Sequence, residues 1–273
     1  MSSFAVTGAS RGIGFEFIKQ FSADPANTVV GLVRDVKATE AKVKAELSGR
    51  SNVHILHGDL DSYESLKKAS EDTAKITGGG LDYLIHNGAR LSDDSAFFNF
   101  TQLGENPEAL EHEILAGCKS NVVGSVHLFN LFVPLILEGK KKKVIAISSG
   151  HADLDLITKY DVDTAPTYAV DKAALNTIVA KYSAQFRKDG VLFLSISPGV
   201  VDTGRLDPSK LSEKQLPGFA ATIAKFQAYA PHFKEKQTTE QAVKAVISVF
   251  EKASVENGDG GAFVSHLGSK QWI

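Results

Sequence analysis

Short apolar runs alternate along the chain with longer segments in which apolar residues recur at helical spacing. The apolar runs predict strands at Phe4–Thr7, Thr28–Val33, Val53–Leu56, Leu81–His86, Val144–Ser148, Val191–Ile196 and Ala262–Val264. The segments between them predict helices near residues 12–22, 36–48, 61–76, 107–137, 167–188 and 238–253. This alternation indicates parallel strands joined by helical crossovers. Because no linker divides the sequence, we expect one doubly wound α/β domain over residues 1–273, with a central parallel sheet and helices on both faces.

Glycine and polar residues come where predicted strands end. Gly8 follows the first strand, Asp59 the third, Asn87 the fourth, Ser149 the fifth and Pro198 the sixth. Open α/β sheets bind their ligands outside the carboxyl ends of the strands. The shared edge therefore predicts one ligand site, and the glycine-rich segment after the first strand marks where a dinucleotide would lie.

The helix near residues 167–188 carries a stripe at helical spacing, namely Tyr168, Lys172, Leu175, Val179, Tyr182 and Phe186. Its apolar members should face the sheet, so Tyr168 and Lys172 are expected to point inward near Ser149. A lysine one turn after a tyrosine lies beside it, and its charge lowers a tyrosine pKa that is about 10 when free. The pair predicts proton transfer near neutral pH, coupled to hydride transfer.

The long helix before this one is expected to bury a second stripe, made of Leu110, Ile114, Cys118, Val122, Val126, Phe129 and Val133. Asn121 adjoins the stripe. It either serves the site or hydrogen-bonds within its own helix, and the sequence favours neither interpretation. Cys118 is expected to be a small core residue.

Composition limits the classes of function. The chain has 273 residues and a net charge of −2, which gives no sign of nucleic acid or an acidic membrane surface as a partner. Its single cysteine excludes an internal disulfide, and we expect neither a signal peptide nor a membrane span. The eight histidines have no convincing ligand spacing, so no metal is expected. These features predict a soluble cytoplasmic protein that acts on a small molecule.

Together these residues resemble the short-chain dehydrogenase/reductase family, and within it the carbonyl-reductase-like, fungal ketoreductase-like members. The likeness runs from about Phe4 to Thr203, with a last strand near residues 260–264. It rests on motifs that are specific in combination: Thr7-Gly-x-x-x-Gly-x-Gly14, Asp59, Asn87, Asn121, Ser149, Tyr168 with Lys172, and Pro198-Gly199. The resemblance implies a Rossmann-type fold and an oxidoreductase acting with NADP(H) on a carbonyl or alcohol. Family members often form homodimers or homotetramers through the two long helices, which makes such assembly an expectation here.

The family assigns roles to four matching side chains. Tyr168 would protonate the substrate oxygen during reduction. Lys172 would lower the Tyr168 pKa and hold the nicotinamide ribose. Ser149 would hydrogen-bond the substrate carbonyl and stabilise developing negative charge, and Asn121 would position a water that links Lys172 to solvent.

The family also implies a cofactor site. Its glycines would let the pyrophosphate approach the first helix, Asp59 would contact adenine, and Thr203 would hold the nicotinamide carboxamide. The implied members are Gly8, Ser10, Arg11, Gly12, Ile13, Gly14, Arg34, Asp59, Leu60, Asn87, Gly88, Tyr168, Lys172, Pro198, Gly199, Val201 and Thr203.

The end of the second predicted strand indicates which cofactor is used. An NAD enzyme usually has an acidic side chain there, but this chain has Val33, followed by Arg34. Arg11 lies within the glycine loop, and two guanidinium groups suit a 2′-phosphate. We therefore predict NADP(H). The alternative is that Arg34 pairs with Asp35 and Arg11 is solvated.

Two features depart from the family pattern. The Asn-Asn-Ala-Gly element reads His86-Asn-Gly-Ala89, which keeps Asn87. The gap between Ser149 and Tyr168 is longer than usual and contains an acidic insertion, residues 151–164. We expect a solvated surface loop there, with a wall of the substrate cleft as the alternative. The longer gap also leaves two candidate serines, Ser148 and Ser149, of which the family normally uses the second.

Residues 204–237, which we call the lid segment, separate Thr203 from the last predicted helix. One short amphipathic helix is predicted within it from the spacing of Phe219, Ile223, Phe226 and Tyr229. Since the segment follows the nicotinamide contact, it is either a mobile lid over a bulky apolar substrate or a segment packed onto the body. Another apolar wall for such a substrate is available in Phe97, Phe98 and Phe100.

Two other functions fit the same residues. One is a redox-neutral dehydratase, isomerase or cyclase that uses Tyr168 as acid or base. The other is a non-catalytic dinucleotide-binding protein, against which the complete set of Asn121, Ser149, Tyr168 and Lys172 argues. The sequence does not separate carbonyl reduction from the redox-neutral reactions.

Overall fold

The structure is a computed structural model that describes residues 1–93, 95–204 and 208–273. Its strands are β1 (Ser3–Thr7), β2 (Thr28–Val33), β3 (Val53–His57), β4 (Tyr83–His86), β5 (Lys143–Ile147), β6 (Leu192–Ser197), β7 (Val201–Asp202), β8 (Gln237–Thr238) and β9 (Phe263–Ser265). Seven of them form one parallel sheet in the order β3-β2-β1-β4-β5-β6-β9. The two-residue strands β7 and β8 pair with each other.

Helices connect these strands and cover the sheet. They are α1 (Gly12–Phe21), α2 (Val36–Glu46), α3 (Tyr63–Thr77), α4 (Phe100–Leu103), α5 (Pro107–Gly117), α6 (Gly124–Glu138), α7 (Leu154–Tyr160), α8 (Pro166–Phe186), α9 (Leu216–Tyr229) and α10 (Thr239–Lys252). A π-helical turn, Cys118–Val123, joins α5 to α6, and short 3-10 turns occupy Gly150–Ala152, Arg187–Asp189 and Pro208–Lys210. The predicted bounds of the seven main strands agree with these to within two residues.

Each face of the sheet buries its own apolar cluster. On one face, Phe4 of β1 stacks on Phe21 of α1 with ring centroids 4.0 Å apart, and Phe250 of α10 packs beside them. On the other face, Phe129 of α6 meets Phe193 of β6 with ring centroids 5.7 Å apart. Helices therefore cover both faces, as the two-sided apolar strands require. The doubly wound, Rossmann-type fold class is confirmed.

The strand order reverses at β1, which determines where a ligand can enter. β1 pairs with β2 on one side and with β4 on the other, so that Ala5 lies opposite both Val30 and Leu84. The connections leaving β1 and β4 diverge to opposite faces of the sheet and open a crevice at the carboxyl ends of the strands.

The long helix differs from its predicted stripe. Ile114 is 40% exposed and Leu115 60% exposed, whereas Asn121 and Ser125 are buried. The π-helical turn is the reason, because its wider turn rotates the buried face by comparison with an uninterrupted α-helix. We expected no segment with the length and composition of a membrane span, but one helical segment has both. That segment is residues 107–138, although 56% of the apolar window is buried inside the protein.

The acidic insertion is not a solvated loop. It forms the 3-10 turn Gly150–Ala152 and helix α7, and it buries Leu156 and Val162 against Trp272 near the carboxyl end of the chain. These three residues are called the side cluster below. One aspartate has a structural use, since Asp153 accepts a hydrogen bond from the Leu156 amide at 2.8 Å and so caps α7. The prediction of a solvated loop failed because the apolar residues between the aspartates pack against a distant segment.

The predicted helix in the lid segment is confirmed as α9. Its Thr222 hydroxyl lies 2.8 Å from that of Thr164, and its Phe219 ring meets Phe97 edge-on at 5.2 Å between centroids. The Tyr229 hydroxyl accepts a hydrogen bond from the Trp272 amide at 2.9 Å. Helix α9 is thus attached to three separate parts of the chain. Residues 205–207 of the lid segment lie outside the described residues.

The side cluster generates a stability prediction. Trp272 is 3% exposed and stacks on Phe263 with ring centroids 4.3 Å apart. Truncating a buried tryptophan to alanine costs about 3–5 kcal/mol, so Trp272→Ala should lower the free energy of unfolding by that amount in urea denaturation. Leu154→Ala, at a residue of α7 that is 72% exposed, is the matched control and should change it by less than about 0.5 kcal/mol. Equal effects would mean that the carboxyl-terminal segment is frayed in solution.

Candidate active site

The glycine loop leaves no space for side chains. Gly8 has φ +66°, and a Cβ there would lie 2.7 Å from the Gly88 Cα. A Cβ on Gly14 would lie 2.2 Å from the Gly8 carbonyl oxygen. Gly12 also has a positive φ, +54°, and Thr203 packs beside it. The chain therefore needs glycine here for close backbone packing, which leaves an open cradle at the start of α1.

A cavity of about 500 Å³ lies over this cradle. Of the predicted site residues, those that line it are Gly8, Ser10, Arg11, Gly12, Ile13, Arg34, Asp59, Leu60, Asn87, Gly88, Tyr168 and Thr203. The predicted site residues that do not line it are Gly14, Asn121, Ser149, Lys172, Pro198, Gly199 and Val201. Thr7 and Arg90 also line the cavity, although the sequence pattern did not single them out as cofactor contacts. The cradle and its exposed arginines fit a dinucleotide.

Lys172 is buried beside Tyr168 at the start of α8. Only 3% of its surface is exposed, and its ammonium donates a hydrogen bond to the Ile147 carbonyl at the end of β5, at 2.7 Å. The Lys172 Nζ lies 5.7 Å from the centroid of the Tyr168 ring. Burial lowers the pKa of Lys172 to about 8. The ammonium is therefore still the main form at neutral pH.

The two candidate serines differ in accessibility. Ser148 is 2% exposed, and its hydroxyl is buried without a hydrogen-bond partner among the described residues. Ser149 is half-buried, and its oxygen accepts a hydrogen bond from the His151 amide at 3.3 Å. That bond leaves the Ser149 hydroxyl proton available for another acceptor. Of the two, Ser149 has the geometry that a substrate contact needs.

Asn121 hydrogen-bonds outside its own helix. It lies in the π-helical turn, where its Oδ1 accepts from the Arg90 amide at 2.7 Å and its Nδ2 donates to the Arg90 carbonyl at 2.8 Å. Nδ2 also donates to the Asp171 carboxylate, at 2.7 Å. Burial raises the pKa of Asp171, and Gly117 is required opposite it, because a Cβ there would lie 2.4 Å from Asp171 Oδ2. Asp171 is a contact that the sequence analysis missed.

A second missed residue is His86, which replaces the first asparagine of the family element. Thr7 Oγ1 accepts hydrogen bonds from the amides of Asn87 and Gly88, and it lies 3.2 Å from His86 Nδ1. His86 Nε2 lies 2.7 Å from the hydroxyl of Ser125, which donates to the Asn121 carbonyl at 2.5 Å. Since Thr7 Oγ1 already accepts twice, its proton goes to Nδ1 and the imidazole donates from Nε2. The chain of hydrogen bonds connects the glycine loop to Asn121.

At the other end of the cavity, the second strand ends without an acid. Val33 is buried, whereas Arg34 and Arg11 are exposed and line the cavity. The Asp35 carboxylate accepts a hydrogen bond from the Ala38 amide at 2.9 Å and so caps α2. Arg11 and Arg34 therefore lie at the part of the cavity that the end of the second strand borders.

The segment after β6 also reaches this edge. Gly199 has φ +82°, and a Cβ there would lie 2.6 Å from the Gln237 side chain, so the predicted Pro198-Gly199 turn requires its glycine. Val201 lies in β7, which pairs with β8. Within the described ranges no group of three His, Cys, Asp or Glu side chains is arranged to hold a metal ion.

Comparisons with known proteins agree with this geometry. A family model described as short chain dehydrogenase matches residues 3–214. The chain belongs to the short-chain dehydrogenase family. It is 54% identical over 274 residues to the short-chain dehydrogenase/reductase iacC of Pestalotiopsis fici, and 52% identical over 273 residues to the short chain dehydrogenase virK of Hypocrea virens. Each alignment covers 100% of both chains.

The fold agrees with that of solved carbonyl reductases. The NADPH-bound carbonyl reductase from chicken fatty liver superposes with a TM-score of 0.77 at 22% identity, covering 98% of this chain and 93% of that one. The resemblance to short-chain dehydrogenases is confirmed by the family model and the fungal relatives, and the carbonyl reductase shares the fold. The family is one of oxidoreductases.

The buried imidazole of His86 generates a pH prediction. Burial lowers the pKa of His86 to about 3 from its usual 6.5. Between these two values the unfolded chain binds the proton and the folded one does not, so stability is complete above about pH 6.5 and is lost as the pH falls. His86 alone should lower the free energy of unfolding by about 1.4 kcal/mol for each pH unit in this window. Urea denaturation from about pH 7 down to about pH 5 measures the slope.

The matched variants for this experiment are His86→Asn and His127→Asn. His86→Asn should reduce the slope by about 1.4 kcal/mol per pH unit, because asparagine does not titrate. The slope that remains comes from other buried histidines, such as His151, whose pKa burial lowers to about 4. His127 packs edge-on against Tyr63 on the surface of α6, and His127→Asn should keep the wild-type slope. An unchanged slope in His86→Asn would show that the His86 imidazole is not held neutral in the folded protein.

Proposed function

We propose that this protein is an NADP(H)-dependent oxidoreductase that reduces the ketone or aldehyde group of a bulky, largely apolar substrate. The observation that carries the proposal is the buried Lys172 ammonium beside Tyr168, which itself lines the cavity over the glycine cradle. A lysine that is 3% exposed and bonded to a strand-end carbonyl is not a solvated surface charge. Its placement has a chemical use, because it stabilises negative charge on the phenol.

In this proposal the chain's own groups handle the substrate oxygen. Bound NADPH supplies the hydride. Tyr168 gives its phenolic proton to the carbonyl oxygen, and the Lys172 ammonium stabilises the phenolate that remains. Ser149 donates a hydrogen bond to the same oxygen and stabilises the charge that develops there. Asn121 holds the Arg90 backbone, which lines the cavity, and so fixes that side of the site.

Three features support a substrate with apolar bulk. The acidic insertion and α9 share the side cluster, and Phe219 of α9 packs against Phe97. Phe226 of α9 contacts the His151 ring with centroids 5.6 Å apart, close to Tyr168. The contacts of α9 with Thr164, Phe97 and Trp272 favour a fixed wall over a mobile lid.

Cytoplasmic localisation and assembly into a homodimer or homotetramer stay predictions.

The proton-donor prediction uses a matched tyrosine on the same helix. Tyr168→Phe keeps the ring and deletes the acidic proton, so it should retain NADPH binding and lose about 10²- to 10⁴-fold in kcat. Tyr182 bonds to Asn130 at 2.7 Å, and Tyr182→Phe should keep normal turnover. Lys172→Met should weaken both nucleotide binding and turnover. NADPH fluorescence measures binding, and NADPH oxidation with a panel of ketones and aldehydes graded by size measures turnover.

Several outcomes of that experiment would contradict the proposal. Near-normal turnover in Tyr168→Phe would remove the proposed proton donor. NADPH binding without oxidation by any carbonyl compound would favour a redox-neutral reaction or a binding protein. Fastest turnover of small polar aldehydes would contradict the bulky apolar substrate.

The cofactor prediction concerns the exposed arginines. Charge-assisted hydrogen bonds contribute about 1.5–3 kcal/mol each, so Arg34→Ala should reduce the preference for NADPH over NADH in kcat/KM by at least about tenfold. Arg187→Ala, at an exposed arginine after α8, is the control and should leave the preference unchanged. Comparable kcat/KM with both cofactors in the wild-type enzyme would overturn the assignment.

A further inference from the structure

His151 lies between the proposed reacting groups and the apolar wall. It is the second residue of the 3-10 turn that follows Ser149, and its amide donates to the Ser149 oxygen at 3.3 Å. Its ring faces the edge of Tyr168 with centroids 6.4 Å apart, and it contacts Phe226 of α9 at 5.6 Å. The imidazole therefore lies next to both groups that the proposed function assigns to the substrate oxygen.

The imidazole is neutral and has hydrogen-bonding capacity to spare. Burial lowers the pKa of His151 to about 4, so that at neutral pH the ring has one N–H donor and one acceptor nitrogen. Among the described residues neither nitrogen has a hydrogen-bond partner, whereas His86 uses both of its nitrogens. A bulky substrate that displaces water from this half-buried ring would leave both groups unsatisfied, unless it carries a polar atom of its own.

The surroundings of His151 limit what that substrate can be. Phe226 and Tyr168 both lie beside the imidazole, with ring centroids 5.6 Å and 6.4 Å from it, so a substrate that reaches His151 meets aromatic side chains, which favour an aryl group. Tyr229, the other aromatic ring at the end of α9, has its hydroxyl bonded to Trp272 and to the Lys270 carbonyl. The Tyr229 hydroxyl is therefore committed to the carboxyl-terminal segment, whereas the ring nitrogens of His151 have no partner within the described part of the chain.

We propose that His151 is a specificity-determining residue, which hydrogen-bonds a second oxygen close to the reacting carbonyl of an aryl-substituted substrate. A second carbonyl accepts from the imidazole N–H, and a hydroxyl or enol donates to the other nitrogen, so both forms of a β-oxygenated aryl ketone can be bound. This proposal rests on the proposed function, because it places the reacting carbonyl at Ser149 and Tyr168.

The test compares two probes that differ only in the second oxygen. Benzoylacetone has a second carbonyl, and butyrophenone is the matched monoketone. Calorimetry measures the Kd of each probe for the enzyme saturated with NADP⁺, so no turnover is needed. One buried neutral hydrogen bond predicts about 3- to 10-fold tighter binding of benzoylacetone by the wild-type enzyme.

Three variants isolate the imidazole. His151→Phe keeps the ring contacts and should bring the ratio of the two Kd values to about one, without changing NADP⁺ affinity. His151→Gln, which supplies a donor and an acceptor, should keep part of the preference. His127→Phe, a histidine-to-phenylalanine change at a ring contact on α6, should keep the wild-type ratio.

The results that would contradict the role of His151 differ from those that would contradict the proposed function. A wild-type ratio of about one, no binding of either probe, or a preference that persists in His151→Phe would each overturn the role of His151. Normal turnover in Tyr168→Phe would instead overturn the proposed function. The Tyr168→Phe variant should keep the benzoylacetone preference, because that preference is measured as binding.

Discussion

The hydrogen bond from Lys172 to the Ile147 carbonyl fixes the rest of the site. A buried ammonium is costly unless its protons have acceptors, and here the acceptor at 2.7 Å is the last carbonyl of β5. Because Lys172 is one turn from Tyr168 on α8, the bond holds the start of that helix against the end of the strand. Ser149 follows that strand end by two residues. One buried bond thus sets the relative positions of three side chains that lie far apart in sequence.

The neighbouring helix is held by a different device. Asn121 lies in the π-helical turn, and its side-chain amide points out of the helix. Its backbone carbonyl accepts a hydrogen bond from the Ser125 hydroxyl. The side-chain amide of Asn121 hydrogen-bonds the Arg90 backbone. Its backbone carbonyl is connected to the glycine loop by hydrogen bonds through Ser125, His86 and Thr7. Extra residues of this kind in a helix are frequent at functional sites. Here the wider turn frees Asn121 for contacts that a regular α-helix would not permit.

Much of this arrangement could be predicted from the sequence, because it depends on local periodicity. Local sequence determines three of these features: the strands that are apolar on both sides, the glycine loop after β1, and the spacing of Tyr168 and Lys172. The π-helical turn could not be predicted this way, since Cys118–Val123 has no periodicity of its own and the apolar stripe continues through it. A role for His86 could not be predicted either, because it replaces an asparagine of the family element. Its two ring nitrogens nevertheless complete the hydrogen-bond chain.

Local sequence patterns do not predict the structure of the acidic insertion. Its four aspartates indicated a solvated loop, but Leu156 and Val162 between them are buried by Trp272, more than a hundred residues away in the sequence. That contact is supported by Gly150, where a Cβ would lie 3.0 Å from the Trp272 Cβ. The same packing places the 3-10 turn that carries His151 directly after Ser149. The two regions therefore differ in origin. The glycine cradle at β1 follows from glycine and strand periodicity, whereas the region around His151 follows from long-range packing of the insertion, α9 and the carboxyl-terminal segment. Changes to the second region can alter which substrate fits without disturbing the cradle or the Lys172 bond.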